Sequence, residues 1–134
     1  MSIQKIILPI KPKPKPRGQL GKYGNMTHSM NGYRDWQKEF KRLIEETTFT
    51  VPPDFHSVVF QFNMIRVGGH PPDLSNLQGG VEDALVKYNY IRDDNWKILQ
   101  RYYTFGCPSP TSSIVLYVAQ SKAELIYIIE KFTD

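Results

Sequence analysis

Ser57 to Met64 reads Ser-Val-Val-Phe-Gln-Phe-Asn-Met, and its period of two constrains the architecture more than any other stretch. Val58, Phe60, Phe62 and Met64 fall on one side of an extended chain, with Ser57, Val59, Gln61 and Asn63 on the other. A helix needs apolar residues every three or four positions, so this segment is a strand. It requires strand neighbours and a helical layer over its apolar side. With 134 residues, 40% hydrophobic and 22% charged, the chain has room for one such domain, spanning 1–134, and little room for a second.

The remaining elements arrange themselves around that strand. Isoleucine-rich Ile3–Ile7, stopped by Pro9, predicts a first strand. Tyr33, Trp36, Phe40, Leu43 and Ile44 share one face of a helix expected from Tyr33 to Glu46, with Lys38, Lys41 and Arg42 pointing elsewhere. That aromatic face reads as core. Pro52 and Pro53 bar any continuation. Gly68, Gly69, Pro71 and Pro72 form a loop leading to a helix from Asn76 to Lys87, whose stripe is Leu77, Val81, Ala84 and Leu85. Ser75, three residues before Gln78, is the expected N-cap. Two further strands, Lys97–Thr104 and Ser113–Ala119, flank a turn from Gly106 to Pro110. A last helix, Lys122–Phe132, is capped by Ser121 and Glu124. The order β-α-β-α-β-β-α predicts an α+β domain, a mixed β-sheet with helices packed on it.

Several functions are excluded or disfavoured by composition. Cys107 stands alone, so no internal disulfide or multi-cysteine metal site exists; beside Pro108 in a turn, it has no motif of a nucleophile. His28, His56 and His70 have no zinc-ligand spacing, and Gly18 to Gly24 lacks a phosphate-loop motif. No apolar run approaches the roughly 18–20 residues of a membrane span. Ile3 to Ile10 is too short and polar for a signal-peptide core, so a cytoplasmic protein without membrane contact is the expectation.

The net charge of +4 conceals an asymmetry. Residues 1–42 carry ten basic side chains and two acids, a local net of +8, while residues 43–134 carry seven against eleven, a net of −4. Lys11, Lys13, Lys15, Arg17 and Lys22 lie in a Lys/Pro-rich segment, 11–22, in which alternate prolines enforce an extended, unpaired, polyproline-like backbone. Five cations splayed along it suit the phosphates of DNA, with affinity that falls with salt and carries no base information. A proline-rich ligand for a protein module is the competing reading.

In the acidic part, Asp73 stands at a loop-to-helix junction, and Asp93-Asp94 follows the same helix. Converging carboxylates would suit Mg²⁺, a hard cation that prefers oxygen ligands. Taken alone, the residues favour the simpler reading, Asp73 as a helix cap and Asp93-Asp94 as a turn.

Pro72-Asp73-Leu74-Ser75-Asn76-Leu77-Gln78, then Glu82-Asp83-Ala84-Leu85, then Tyr90-Ile91-Arg92-Asp93-Asp94 resembles the RusA family of Holliday junction resolvases. The Lys-Pro segment and the element order are also similar to that family, from about Ile3 to Val118. The resemblance implies a homodimeric, Mg²⁺-dependent endodeoxyribonuclease that nicks four-way DNA junctions at symmetric positions, in recombination and repair. It assigns Asp73 and Asp94 as catalytic metal ligands, with Asp93 and Ser75 beside them. Two positions depart from the motif. Ser75 stands where the family has a second aspartate, and Gly79 where it has a lysine. Lys87, Lys13 or Arg17 are the candidates to replace that lysine. A branched-DNA-binding relative with a degraded metal site is the alternative that these departures imply.

Overall fold

A computed structural model of the chain describes residues 3–14, 28–65, 73–91 and 102–132. The elements are β1 (Gln4–Leu8), α1 (His28–Glu45), β2 (Ser57–Met64), α2 (Leu74–Lys87), β3 (Tyr102–Pro108), β4 (Ser113–Ala119) and α3 (Lys122–Phe132). Their order and the mixed sheet are those expected from the sequence. The four strands lie in the order β1-β4-β2-β3. β4 is antiparallel to both β1 and β2, and β3 is parallel to β2. It follows that β1, β2 and β3 all point the same way, with β4 alone reversed.

Alternation in β2 divides the interior into two cores. Val58, Phe60 and Phe62 join the aromatic face of α1 and the stripe of α2 on one side of the sheet. Val59 faces the other side, where Val115, Tyr117 and Ala119 of β4 meet Leu125 and Ile128 of α3. Trp36 stacks between Tyr33 and Phe40, with ring centroids 5.8 and 5.3 Å away. The two main helices lie side by side and run parallel. Tyr33 donates to the Gly80 carbonyl at 2.6 Å, Lys87 donates to Gln37 at 3.0 Å, and the Lys41 ammonium lies over the Tyr88 ring. Burial, reinforced by the negative charge of Asp83, pushes the Tyr33 hydroxyl far above its ordinary range, so it stays a donor at neutral pH.

Some boundaries differ from the sequence expectation, each for a local reason. α1 begins at His28, five residues before Tyr33, although that first turn lacks the apolar spacing. α2 begins at Leu74, so Ser75 lies inside the helix and Asp73 is the N-cap. β3 continues through Gly106, Cys107 and Pro108, where a turn was expected, and the turn falls at 109–112 instead. Gly106 allows a close approach there. A Cβ on it would come 3.3 Å from Leu74 Cδ2 and 3.4 Å from Met64 Cε, so the first residue of α2 packs directly on the strand. Pro108 ends the strand with its donorless nitrogen on the free edge of the sheet, and the Ser109 amide donates to the Met64 carbonyl at 2.9 Å. The expected strand residues 97–101 and the glycines at 18, 21 and 24 lie outside the described residues. At α3 the box is present in altered form: Ser121 Oγ accepts from the Glu124 amide, while Glu124 accepts from the Gln120 amide rather than from Ser121.

Two substitutions test this packing. Tyr33→Phe removes a buried hydrogen bond without changing ring volume and is expected to destabilise the protein by about 1 kcal/mol in urea unfolding. A Cβ added at Gly79 meets nothing within 4 Å. Gly79→Ala is therefore expected to raise stability by up to about 1 kcal/mol, the helix-propensity difference alone.

Candidate nucleic-acid interface and acidic site

Parallel β1, β2 and β3 bring their carboxyl ends to a common edge of the sheet, and Asp73 and the start of the Lys-Pro segment lie along it. The register puts Leu8, Ile114, Phe62 and Gly106 in one row across the four strands. Leu74 packs on Gly106 at the β3 end of that row, which sets Asp73 beside it. The Lys-Pro segment leaves β1 at the opposite end of the same row. Three strand spacings separate the two ends, about 14 Å.

Asp73 has an extended backbone, φ −71° and ψ 132°, as an N-cap does. Its Oδ1 accepts from the Ser75 amide at 3.1 Å and from the Ser75 hydroxyl at 3.0 Å. Oδ2 accepts no hydrogen bond among the described residues. The carboxylate is exposed to solvent, as is Ser75. A free carboxylate oxygen beside a hydroxyl is a hard-oxygen donor set of the kind Mg²⁺ takes, but it supplies a small part of a coordination sphere. Among the described residues, no three His, Cys, Asp or Glu side chains gather closely enough to hold a metal ion. Asp93 and Asp94 lie outside the described residues.

Lys11 and Lys13 open the basic segment; Lys15, Arg17 and Lys22 lie outside the described residues. The segment is not unpaired, as the proline run suggested. Prolines remove donors yet leave every carbonyl as an acceptor, and Lys11 O accepts from Trp36 Nε1 at 2.7 Å. Ile10 and Pro12 are buried while Lys11 is exposed and Lys13 half-buried. Sequence periodicity gave Trp36 to the core correctly but missed its second task. The signal was present, because a buried indole N–H nearly always finds an acceptor.

Lys87 does not approach the motif within one chain. The length of α2 separates it from Asp73 by about 20 Å, and its ammonium is held by buried Gln37. Lys13 remains at the correct end of the sheet. Cys107 is half-buried in β3, paired with Asn63, rather than in a turn. An open cavity of about 520 Å³, lined by Ile3, Lys5, Tyr127 and Phe132, sits at the start of β1 and so at the opposite end from Asp73.

A small α+β domain with an acidic N-cap and a lysine-rich segment along the carboxyl edge of its parallel strands has the parts of a phosphodiester-handling protein. The chain belongs to the RusA family: residues 9–106 match the family model described as Endodeoxyribonuclease RusA. That family comprises endodeoxyribonucleases acting on Holliday junctions. The match begins just before the Lys-Pro segment and ends at Gly106, so it takes in both parts of the edge and excludes α3. No curated protein matches the chain. No helix among the described residues is long and apolar enough to cross a membrane.

Cap and charge at Asp73 are separable. Asp73→Ala is expected to cost about 1 kcal/mol of stability through the lost cap, whereas Asp73→Asn retains an acceptor for the Ser75 amide and stays within about 0.5 kcal/mol of the parent. Thermal or urea unfolding of the pair checks this.

Proposed function

We propose that the protein is a Mg²⁺-dependent endonuclease that resolves four-way DNA junctions by paired nicks as a homodimer, each protomer contributing one acidic site. The observation that carries this reading is the shared edge, where the family's first motif aspartate and the root of the basic segment face the same side of the molecule. Asp73 and Asp94 would hold the ion, with Asp93 and Ser75 in support. That arrangement requires the chain beyond Ile91 to run back toward the N-terminus of α2.

Bound Mg²⁺ supplies a Lewis acid that lowers the pKa of a coordinated water and neutralises charge developing on the phosphate. The residues of the chain do the rest. Asp73 Oδ2 is the open oxygen, and Oδ1 is fixed by two bonds from Ser75, so the carboxylate presents one orientation. Lys11, Lys13, Lys15, Arg17 and Lys22 neutralise backbone phosphates and hold the duplex arms in register without reading bases. Ser75 in place of an aspartate lowers the negative charge available to the ion, and with it the affinity.

A second reading, a junction-binding relative without cleavage, is favoured by those same departures at Ser75 and Gly79. Nicking of a synthetic four-way junction with and without Mg²⁺ separates the two. The expected result is paired nicks that require the ion and fall at least 100-fold in Asp94→Asn and in Asp73→Asn, with junction binding retained. Binding without nicks at any Mg²⁺ or Mn²⁺ concentration overturns the catalytic reading. Because a Cβ at Gly79 meets nothing within 4 Å, Ser75→Asp combined with Gly79→Lys is expected to fold and to raise the nicking rate above the parent's.

A further inference from the structure

The first part of the basic segment is built onto the fold rather than hanging from it. Inward and outward residues continue to alternate past the end of β1: Leu8, Ile10 and Pro12 are buried, while Pro9 and Lys11 face solvent and Lys13 is half-buried. Pro12 can enter the interior without an unsatisfied donor because it has no N–H. The carbonyl of Lys11 remains to be satisfied. It points at α1, where Trp36 Nε1 donates to it at 2.7 Å. Trp36 cannot readily turn away, being 8% exposed and stacked between Tyr33 and Phe40. A few residues on, the Lys13 ammonium lies over α1 at Gly32, 3.1 Å from where a Cβ would stand.

We infer that Trp36 is a positioning residue for DNA binding: its indole N–H fixes the path of the segment so that Lys11 and Lys13 meet phosphate from set places. The inference rests on the junction reading above. Untethered lysines must be ordered when they bind, and each immobilised long side chain lowers affinity. Segments anchored in advance avoid part of that loss. Trp36 touches no DNA in this scheme; it acts through Lys11 and Lys13.

The test measures equilibrium binding to a synthetic four-way junction over a series of salt concentrations, without Mg²⁺. Trp36→Phe keeps an aromatic ring between Tyr33 and Phe40 and removes the donor, at the cost of a smaller ring in a buried position. It is expected to weaken binding about five-fold, the value of one hydrogen bond. In a Lys11→Ala/Lys13→Ala background the same substitution is expected to change affinity by less than about 1.5-fold, since its effect passes through those lysines. The lysine pair alone should lower the salt slope by about two, one for each phosphate contact. Pro12→Gly, which loosens the segment while leaving α1 unchanged, is expected to reproduce the loss and serves if Trp36→Phe does not fold. Trp36→Phe or Pro12→Gly binding within two-fold of the parent overturns the positioning role. So does an equal loss with and without the lysines, which marks a merely structural effect. If the parent itself does not bind junctions, the junction reading fails, and the inference falls with it.

Discussion

Desolvation of β2 on both faces is the constraint from which the other elements take their places. Four consecutive residues of that strand, Ser57 to Phe60, are fully buried, and Phe62 follows them. Such a strand cannot lie at the edge of a two-layer fold, because one face would meet water. It must be flanked by strands and covered from both sides, as parallel or mixed sheets generally are. β4 and β3 supply the flanks; α1 and α2 cover one face and α3 part of the other. The buried Ser57 hydroxyl is satisfied by the neighbouring His56 ring at 2.8 Å. Once β2 is central and points toward the common edge, the residues that follow it must emerge there. Asp73 begins the helix that turns back over β3.

On the outer face, α3 shields only one end of the sheet. Beyond it, Gln61 donates to Asn63, Asn63 donates to Ser113, and the Tyr117 hydroxyl donates to Gln61, all within 3.0 Å. Burial raises the Tyr117 hydroxyl above its ordinary range and keeps it a donor. This polar lattice satisfies the outer face where, among the described residues, no helix covers it. β4 is common to the lattice and the edge: it supplies Ser113 and Tyr117 to the lattice and Ile114 to the row that joins the ends of β1 and β2.

Most of the architecture was legible because it is written in period. The alternation of β2 and the apolar faces of α1 and α2 gave a strand and helices whose interior residues are the buried ones. What period does not encode was misplaced. Ser75 fits a capping box on paper, but Asp73, two residues earlier, is a stronger acceptor and takes the amide. Gly106 and Pro108 carry the local signature of a turn, yet a parallel partner and a leucine packed overhead keep the strand going. The reach of Trp36 across to Lys11 spans 25 residues, and no local pattern reports such a bond. Of Asp73, Asp93 and Asp94, which the motif groups together, only Asp73 lies among the described residues, and there the motif position proves to be the cap of α2.

The way Pro12 enters the interior has a bearing on how such a chain can change. The segment is held by a proline ring and a backbone carbonyl, neither of which depends on what the outward positions carry. Charge and anchorage are thus written in different residues. Under the proposed function, substitutions at Lys11 would tune how tightly, and at what ionic strength, the protein engages its nucleic acid, without touching either anchor. Drift at Pro12 or Trp36 would instead loosen both lysines of the anchored stretch, Lys11 and Lys13, at once.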